Sequence, residues 1–125
     1  MIAVEIDNRS GAAIDERAIV AVCRTTLAAE GIEAGDLGVA FVPPEEMRAL
    51  KREHLRIDEA TDVLSFPIDG RDELPGGVPR QLGDVVVCPQ VVGDDWRWPL
   101  VHGLLHLLGY EHGDAMTRRE REFVT

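Results

Sequence analysis

HGLLHLLGYEH, residues 102–112, is the stretch of this 125-residue sequence that most constrains the fold. The sequence predicts a helix that opens near Pro99, runs through His106 and ends near Gly109. Glycine accepts the positive φ with which a helix ends and the chain turns back. His102 and His106 are four residues apart, so on this helix both imidazoles project from one face, about one turn apart.

The turn after that helix predicts a third metal ligand. Tyr110 and Glu111 lead the chain back, so that His112 approaches the point faced by His102 and His106. Three neutral imidazole nitrogens at this spacing predict one bound divalent ion, in the first place zinc, with a fourth tetrahedral position open to water. The leucines between the histidines supply an apolar wall. An open position is typical of a catalytic metal centre rather than a structural one.

The spacing of the histidines also matches the metzincin protease pattern H-E-x-x-H-x-x-G-x-x-H, with one difference. In those proteases the glutamate acts as general base on the metal-bound water. Gly103 stands at that position and has no side chain with which to transfer a proton. The sequence therefore predicts that the ligand set is kept while the peptidase base is absent, which disfavours proteolysis by that mechanism.

The rest of the chain predicts an α+β fold in a single domain, residues 1–125, long enough for one hydrophobic core. Apolar alternation and apolar runs predict the strands, while capping residues and spacings of three and four predict the helices. Strands are expected at 2–7, 36–42, 61–66 and 82–88, and helices at 15–30, 43–54, 98–109 and 117–122, with a surface loop at 69–80. We therefore expect a mixed β-sheet of about four strands with packed helices, and the metal site on a C-terminal helix and the following turn.

The composition excludes some classes of protein. A formal net charge of −10 argues against a basic protein that coats nucleic acid regardless of sequence, although a local basic channel stays compatible with it. No apolar run approaches the ~20 residues of a membrane span, and the N terminus does not resemble a signal peptide. We therefore expect a cytoplasmic protein without membrane contact. Cys23 and Cys88 are expected to be buried free thiols rather than a disulfide.

Three segments carry a resemblance to a known family: HGLLHLLGYEH at 102–112, TDVLSFP at 61–67 and LGDVVVC at 82–88. Together with the element order they resemble the YbeY family, bacterial endoribonucleases involved in rRNA maturation. The resemblance implies a hydrolase in which three histidines hold one zinc ion. It also implies cytoplasmic action on single-stranded RNA, including small-subunit rRNA, with the ribosomal small subunit or its proteins as partners. DNA is not an expected substrate.

The chain departs from that family where substrate phosphate is expected to bind. The family usually has an arginine there, and an ungapped match places Leu55 at the position with Arg56 beside it. Arg56 is therefore a candidate for pairing with phosphate, and a solvated surface charge is an equal alternative. Asp84 is a candidate for the general base, or for a carboxylate that orients a ligand histidine. The segment 88–102 is also shorter than in relatives, and Glu111 stands where aspartate is usual.

The function expected from these features is zinc-dependent endonuclease cleavage of single-stranded RNA, in rRNA maturation and ribosome quality control. Two alternatives stay open. One is hydrolysis of a peptide or small amide with the same metal and a base from elsewhere. The other is a ribosome-associated factor without catalysis, in which zinc only stabilises the fold.

Overall fold

The computed structural model describes residues 1–55 and 63–124, which contain four strands and five helices. In chain order these are β1 (Ile2–Asn8), α1 (Glu16–Ala29), β2 (Gly35–Phe41), α2 (Pro44–Leu55), β3 (Val63–Pro67), β4 (Gln81–Val87), α3 (Pro89–Val92), α4 (Arg97–Leu107) and α5 (Asp114–Val124). The strands form one sheet in the order β1-β2-β4-β3. β1, β2 and β4 run parallel and β3 pairs antiparallel with β4, so the expected α+β fold with a mixed four-stranded sheet is confirmed.

Helix α1 forms for the reasons that its sequence suggests. The Asp15 side chain accepts a hydrogen bond from the Ala18 backbone N–H at 3.1 Å, which caps the helix. Gly31, just beyond the helix, adopts a φ of 83°, a conformation that costs glycine little. Ile19 and Cys23, four residues apart, are buried on one side of α1. That apolar side packs into the main core, so α1 joins β1 to β2 as a helical crossover.

The two faces of the sheet are covered by different helices. Helix α4 lies on β3 and β4 beside α1, and its far side carries α5. On the opposite face α2 packs through Met47 against Val42, Val86 and Cys88. Cys23 and Cys88 are both buried and free, as predicted. In residues 1–55 and 63–124, no helix is long and apolar enough to cross a membrane.

Two helices differ from the sequence-based prediction. Helix α5 begins at Asp114 rather than at Thr117, and the Thr117 N–H already bonds to the Gly113 carbonyl at 3.0 Å. The polar first turn conceals this start, although an acidic residue there is favourable beside the helix dipole. Helix α3 was not predicted, because its four residues are too few to show a helical period. The first two residues of the predicted strand 61–66 lie outside the described residues.

Candidate metal centre

The three histidines predicted from the sequence come together at the end of helix α4. The Nε2 atoms of His102, His106 and His112 lie 3.1 Å from one another in all three pairs. Two nitrogens that bind one tetrahedral ion at about 2.0–2.1 Å stand roughly 3.3 Å apart. The three side chains are therefore positioned to hold a metal ion.

The end of α4 explains how His112 reaches the pair on the helix. The Gly109 N–H bonds to the His106 carbonyl at 3.0 Å and the Tyr110 N–H to the Leu105 carbonyl at 3.1 Å. This pair of bonds is the Schellman motif, which requires positive φ at the residue after the helix, and Gly109 has a φ of 96°. The chain therefore reverses within two residues, and His112 returns to the face from which His102 projects.

Hydrogen bonds at the other ring nitrogen orient two of the ligands. His106 donates from Nδ1 to the Tyr110 carbonyl at 2.9 Å, and His102 Nδ1 bonds to a carboxylate oxygen of Glu120. A carbonyl and a carboxylate can only accept, so each neutral imidazole carries its proton on Nδ1. Both Nε2 lone pairs then face the centre of the cluster, in the form that binds metal.

The electrostatic environment keeps His106 in its ligand form. Burial lowers the pKa of His106 below its ordinary value, and the neighbouring His102 and His112 lower it further. The hydrogen bond to the Tyr110 carbonyl and the charge of Glu120 act in the opposite direction without cancelling the effect of burial. His106 is therefore neutral at neutral pH, as a metal ligand must be.

A cavity of about 370 Å³ opens beside the histidines. It lies along β3, which is an edge strand of the sheet. The histidines of α4 and Lys51 of α2 contribute to its walls, which consist of Lys51, Val63, Leu64, Ser65, Pro67, His102, His106 and His112. A polar substrate can therefore approach the histidine cluster from solvent.

Gly103 faces the sheet rather than the cavity entrance. A Cβ atom at this position would lie 2.6 Å from Val85 Cγ1 and 3.0 Å from Val63 Cγ2, closer than side chains pack. Ser65 donates its hydroxyl to the Gly103 carbonyl at 2.9 Å, which ties α4 to β3. Glycine is thus required by close packing, a reason that the sequence did not reveal. Glutamate at this position does not fit without displacing β4.

Asp84 does not join the histidines, which corrects the sequence-based assignment. Residues adjacent in a strand point to opposite faces, and its neighbour Val85 faces α4. The Asp84 carboxylate lies instead over Gly38 on the other face, where a Cβ would come within 2.1 Å of Oδ1. Glu120 is the carboxylate that orients a ligand histidine. Arg56, the predicted phosphate-pairing residue, lies outside the described residues.

The sequence held one signal for Glu120. Met116 and Glu120 are four residues apart on α5, and both are buried, with Glu120 only 4% exposed. A carboxylate at an apolar helix position needs a partner, because burying an unpaired charge is costly. Here that partner is His102. His54, the fourth histidine, is exposed on α2 and its ring contacts Phe66 edge-on, with the ring centroids 4.9 Å apart.

Comparison with known proteins adds the family to this geometry. The family model described as Endoribonuclease YbeY matches residues 5–124. The chain belongs to the YbeY family. The Endoribonuclease YbeY of Salinispora tropica is 36% identical over 94% of this chain and 87% of the relative. That of Tropheryma whipplei strain Twist is 45% identical over 67% of this chain and 56% of the relative.

A solved structure supports the fold on its own. The solution structure of a Thermotoga maritima protein matches 99% of this chain and 87% of that protein, with a TM-score of 0.58 at 22% identity. The family match confirms the resemblance that the three sequence segments predicted. The names of the YbeY relatives also agree with the prediction that the chain is a hydrolytic nuclease.

Proposed function

We propose that this member of the YbeY family is a zinc-dependent endoribonuclease, in a single hydrolase domain spanning residues 1–125, that cleaves single-stranded RNA. The observation that carries the proposal is the convergence of three Nε2 atoms, 3.1 Å apart, beside an open cavity. The relatives named endoribonucleases supply the substrate class. The proposed role is in rRNA maturation and ribosome quality control, with the ribosomal small subunit or its proteins as partners.

The donor set supports zinc as the metal. Three imidazoles with one position left for substrate or water are typical of catalytic zinc, although imidazole also suits Ni, Cu and Fe. Bound zinc would activate water at neutral pH and polarise a phosphoryl oxygen. A cytoplasmic location is part of the proposal, supported by two buried free cysteines, since reducing compartments keep thiols unpaired.

The side chains around the cavity have separate tasks in this proposal. The neutral His106 and the hydrogen-bonded His102 present their Nε2 atoms without rearrangement, which is the preorganisation that catalysis requires. Lys51 is 6% exposed and lines the same cavity, so its ammonium group supplies positive charge where a substrate phosphate would lie. Arg56, the candidate from the sequence, is also proposed to pair with phosphate.

The test compares matched histidine variants on a defined single-stranded RNA with added zinc. The parent and His54→Ala are expected to cleave the RNA, because His54 lies away from the cluster. His106→Ala is expected to leave the RNA intact, because one of three ligands is lost. Equal cleavage by the parent and His106→Ala would identify a contaminating nuclease and refute the proposal.

One observation favours a second candidate, the hydrolysis of an extended peptide. β3 is an edge strand that lines the metal cavity, and extended peptides bind to such edges by adding a strand. This candidate lacks a general base, since Gly103 occupies the position of the protease glutamate. Turnover of a casein-like substrate that a chelator abolishes, with no cleavage of RNA, would favour it over the ribonuclease.

A further inference from the structure

A buried carboxylate lies at the end of α1, outside the metal centre. The side chain of Glu30 is 4% exposed and accepts hydrogen bonds from two residues distant in sequence. Arg71 donates from Nη2 to Oε1 at 2.6 Å, and Arg119 donates from Nε to Oε2. We call these three residues the Glu30 network. A buried charge persists only when it is paired and hydrogen-bonded, and both oxygens of Glu30 are.

The guanidinium groups of the network also bind the backbone at the end of α1. Arg71 donates from Nη1 to the Glu30 carbonyl at 2.7 Å, and Arg119 donates from Nη2 to the Ala29 carbonyl at 3.1 Å. The last carbonyls of a helix have no partner within the helix. The network therefore joins the end of α1, the loop after β3 and helix α5 at one point.

One member of the network leads to a metal ligand through its neighbour in sequence. Arg119 binds Glu30 from α5, and the next residue, Glu120, binds His102 Nδ1. Because α5 is a continuous helix, holding Arg119 against Glu30 sets the position at which the Glu120 carboxylate meets the imidazole. The acceptor that orients His102 is therefore held in place by the Glu30 carboxylate.

We propose that Glu30 is a positioning residue of the metal centre, which fixes through Arg119 the helix that carries the acceptor of His102. The inference rests on the metal site in the proposed function. Replacing Glu30 leaves two guanidinium groups without their common acceptor, so α5 shifts to find new partners. Loss of the groups that orient metal ligands typically weakens metal affinity by about 10- to 100-fold.

The experiment measures zinc affinity by competition with a chromophoric chelator, together with the visible spectrum of the cobalt-substituted protein. Glu30→Gln is expected to weaken zinc binding by about tenfold and to change the cobalt spectrum, at a temperature where circular dichroism shows full folding. Glu46→Gln is the matched control, because Glu46 pairs with Arg9 away from the histidine cluster. Its affinity and spectrum are expected to equal those of the parent.

Two outcomes separate a positioning role from a structural one. A Glu30→Gln protein with a lower Tm but the zinc affinity and cobalt spectrum of the parent would overturn the inference. If Glu30→Gln does not fold, Arg119→Met keeps the aliphatic stem and removes the donors to Glu30 and to the Ala29 carbonyl. It is expected to weaken zinc binding in the same direction, and unchanged affinity would likewise overturn the inference. A parent that binds zinc but cleaves no RNA would refute the proposed function alone.

Discussion

Two adjacent residues of helix α4 face different surroundings, the metal cavity on one side and the β-sheet on the other. His102 points into an open cavity with a hydrogen-bonded carboxylate behind it, whereas Gly103 lies so close to the sheet that no side chain fits. The cavity side of α4 presents histidines that are positioned to hold a metal ion, and its sheet side packs closely against β3 and β4. The absence of the protease glutamate and the presence of the three histidines therefore have separate causes. Changes on the sheet side should impair folding, and changes on the cavity side should impair metal or substrate binding.

The largest effect on folding is expected from restoring the protease pattern with Gly103→Glu. The new side chain would overlap Val85 and Val63 and bury a carboxylate, which together cost roughly 3 kcal/mol or more of unfolding free energy. Urea denaturation of the metal-free protein measures it. Gly76→Ala, in a loop where a Cβ meets nothing within 4 Å, should stay within about 0.5 kcal/mol of the parent. A Gly103→Glu protein with the stability of the parent and a new protease activity would contradict the packing role assigned to Gly103.

Replacing the carboxylate that hydrogen-bonds to His102 should leave folding largely intact and weaken metal binding. Glu120→Gln keeps the size of the side chain but removes the charge that faces His102, so zinc affinity is expected to fall by about tenfold. Chelator competition measures this. Glu46→Gln serves as the control with parental affinity, because Glu46 pairs with Arg9 away from the histidine cluster. Equal affinities in all three proteins would contradict the role assigned to Glu120.

A smaller effect is expected on substrate binding. Lys51→Met keeps the packing of the aliphatic stem and removes the ammonium from the cavity wall. KM for a single-stranded RNA is expected to rise by about five-fold, with kcat and zinc affinity unchanged, and the salt dependence of binding to weaken by about one phosphate contact. Steady-state kinetics at several salt concentrations check this. Arg48→Met, exposed on the same helix, is the control. A lower kcat with an unchanged KM would rule out phosphate contact by Lys51.

The smallest effect concerns pH. The pKa of His106 is lowered in the folded chain, chiefly by burial, so below about pH 6.5 the unfolded chain binds a proton that the folded chain resists. The contribution of His106 to stability is therefore complete above that pH and is lost as the pH falls. Urea titrations of the metal-free protein between pH 8 and 5 should show stability declining as the pH falls, with a smaller decline in His106→Gln. An identical decline in both proteins would exclude His106 as its source.

Local sequence patterns predicted the parts of the site that depend on one helix and its end. The spacing of His102 and His106, together with Gly109, was enough to indicate three converging ligands. The same kind of reasoning predicted the cap at Asp15. These features depend on contacts within a few residues, where spacing translates directly into geometry.

Contacts between distant segments explain what the sequence did not predict. The apolar run LGDVVVC does not indicate which strand residues face α4, so the sequence did not show that Asp84 points away from the histidines. Glu120 reaches His102 from another helix, and Glu30 binds arginines from two distant segments. The tight fit of Gly103 depends on the Val85 side chain of a strand 18 residues earlier in the sequence. No local pattern in the sequence indicates any of these contacts.

The most direct test of the central claim is the rate of single-stranded RNA cleavage by the metal-free chain as zinc is added in increments. We expect the rate to rise linearly and to level off at one zinc per chain, because the three histidines form one site. His106→Ala should stay at background throughout the titration. Cleavage that needs no zinc, or that rises equally in the parent and His106→Ala, would contradict a catalytic zinc site at the three histidines.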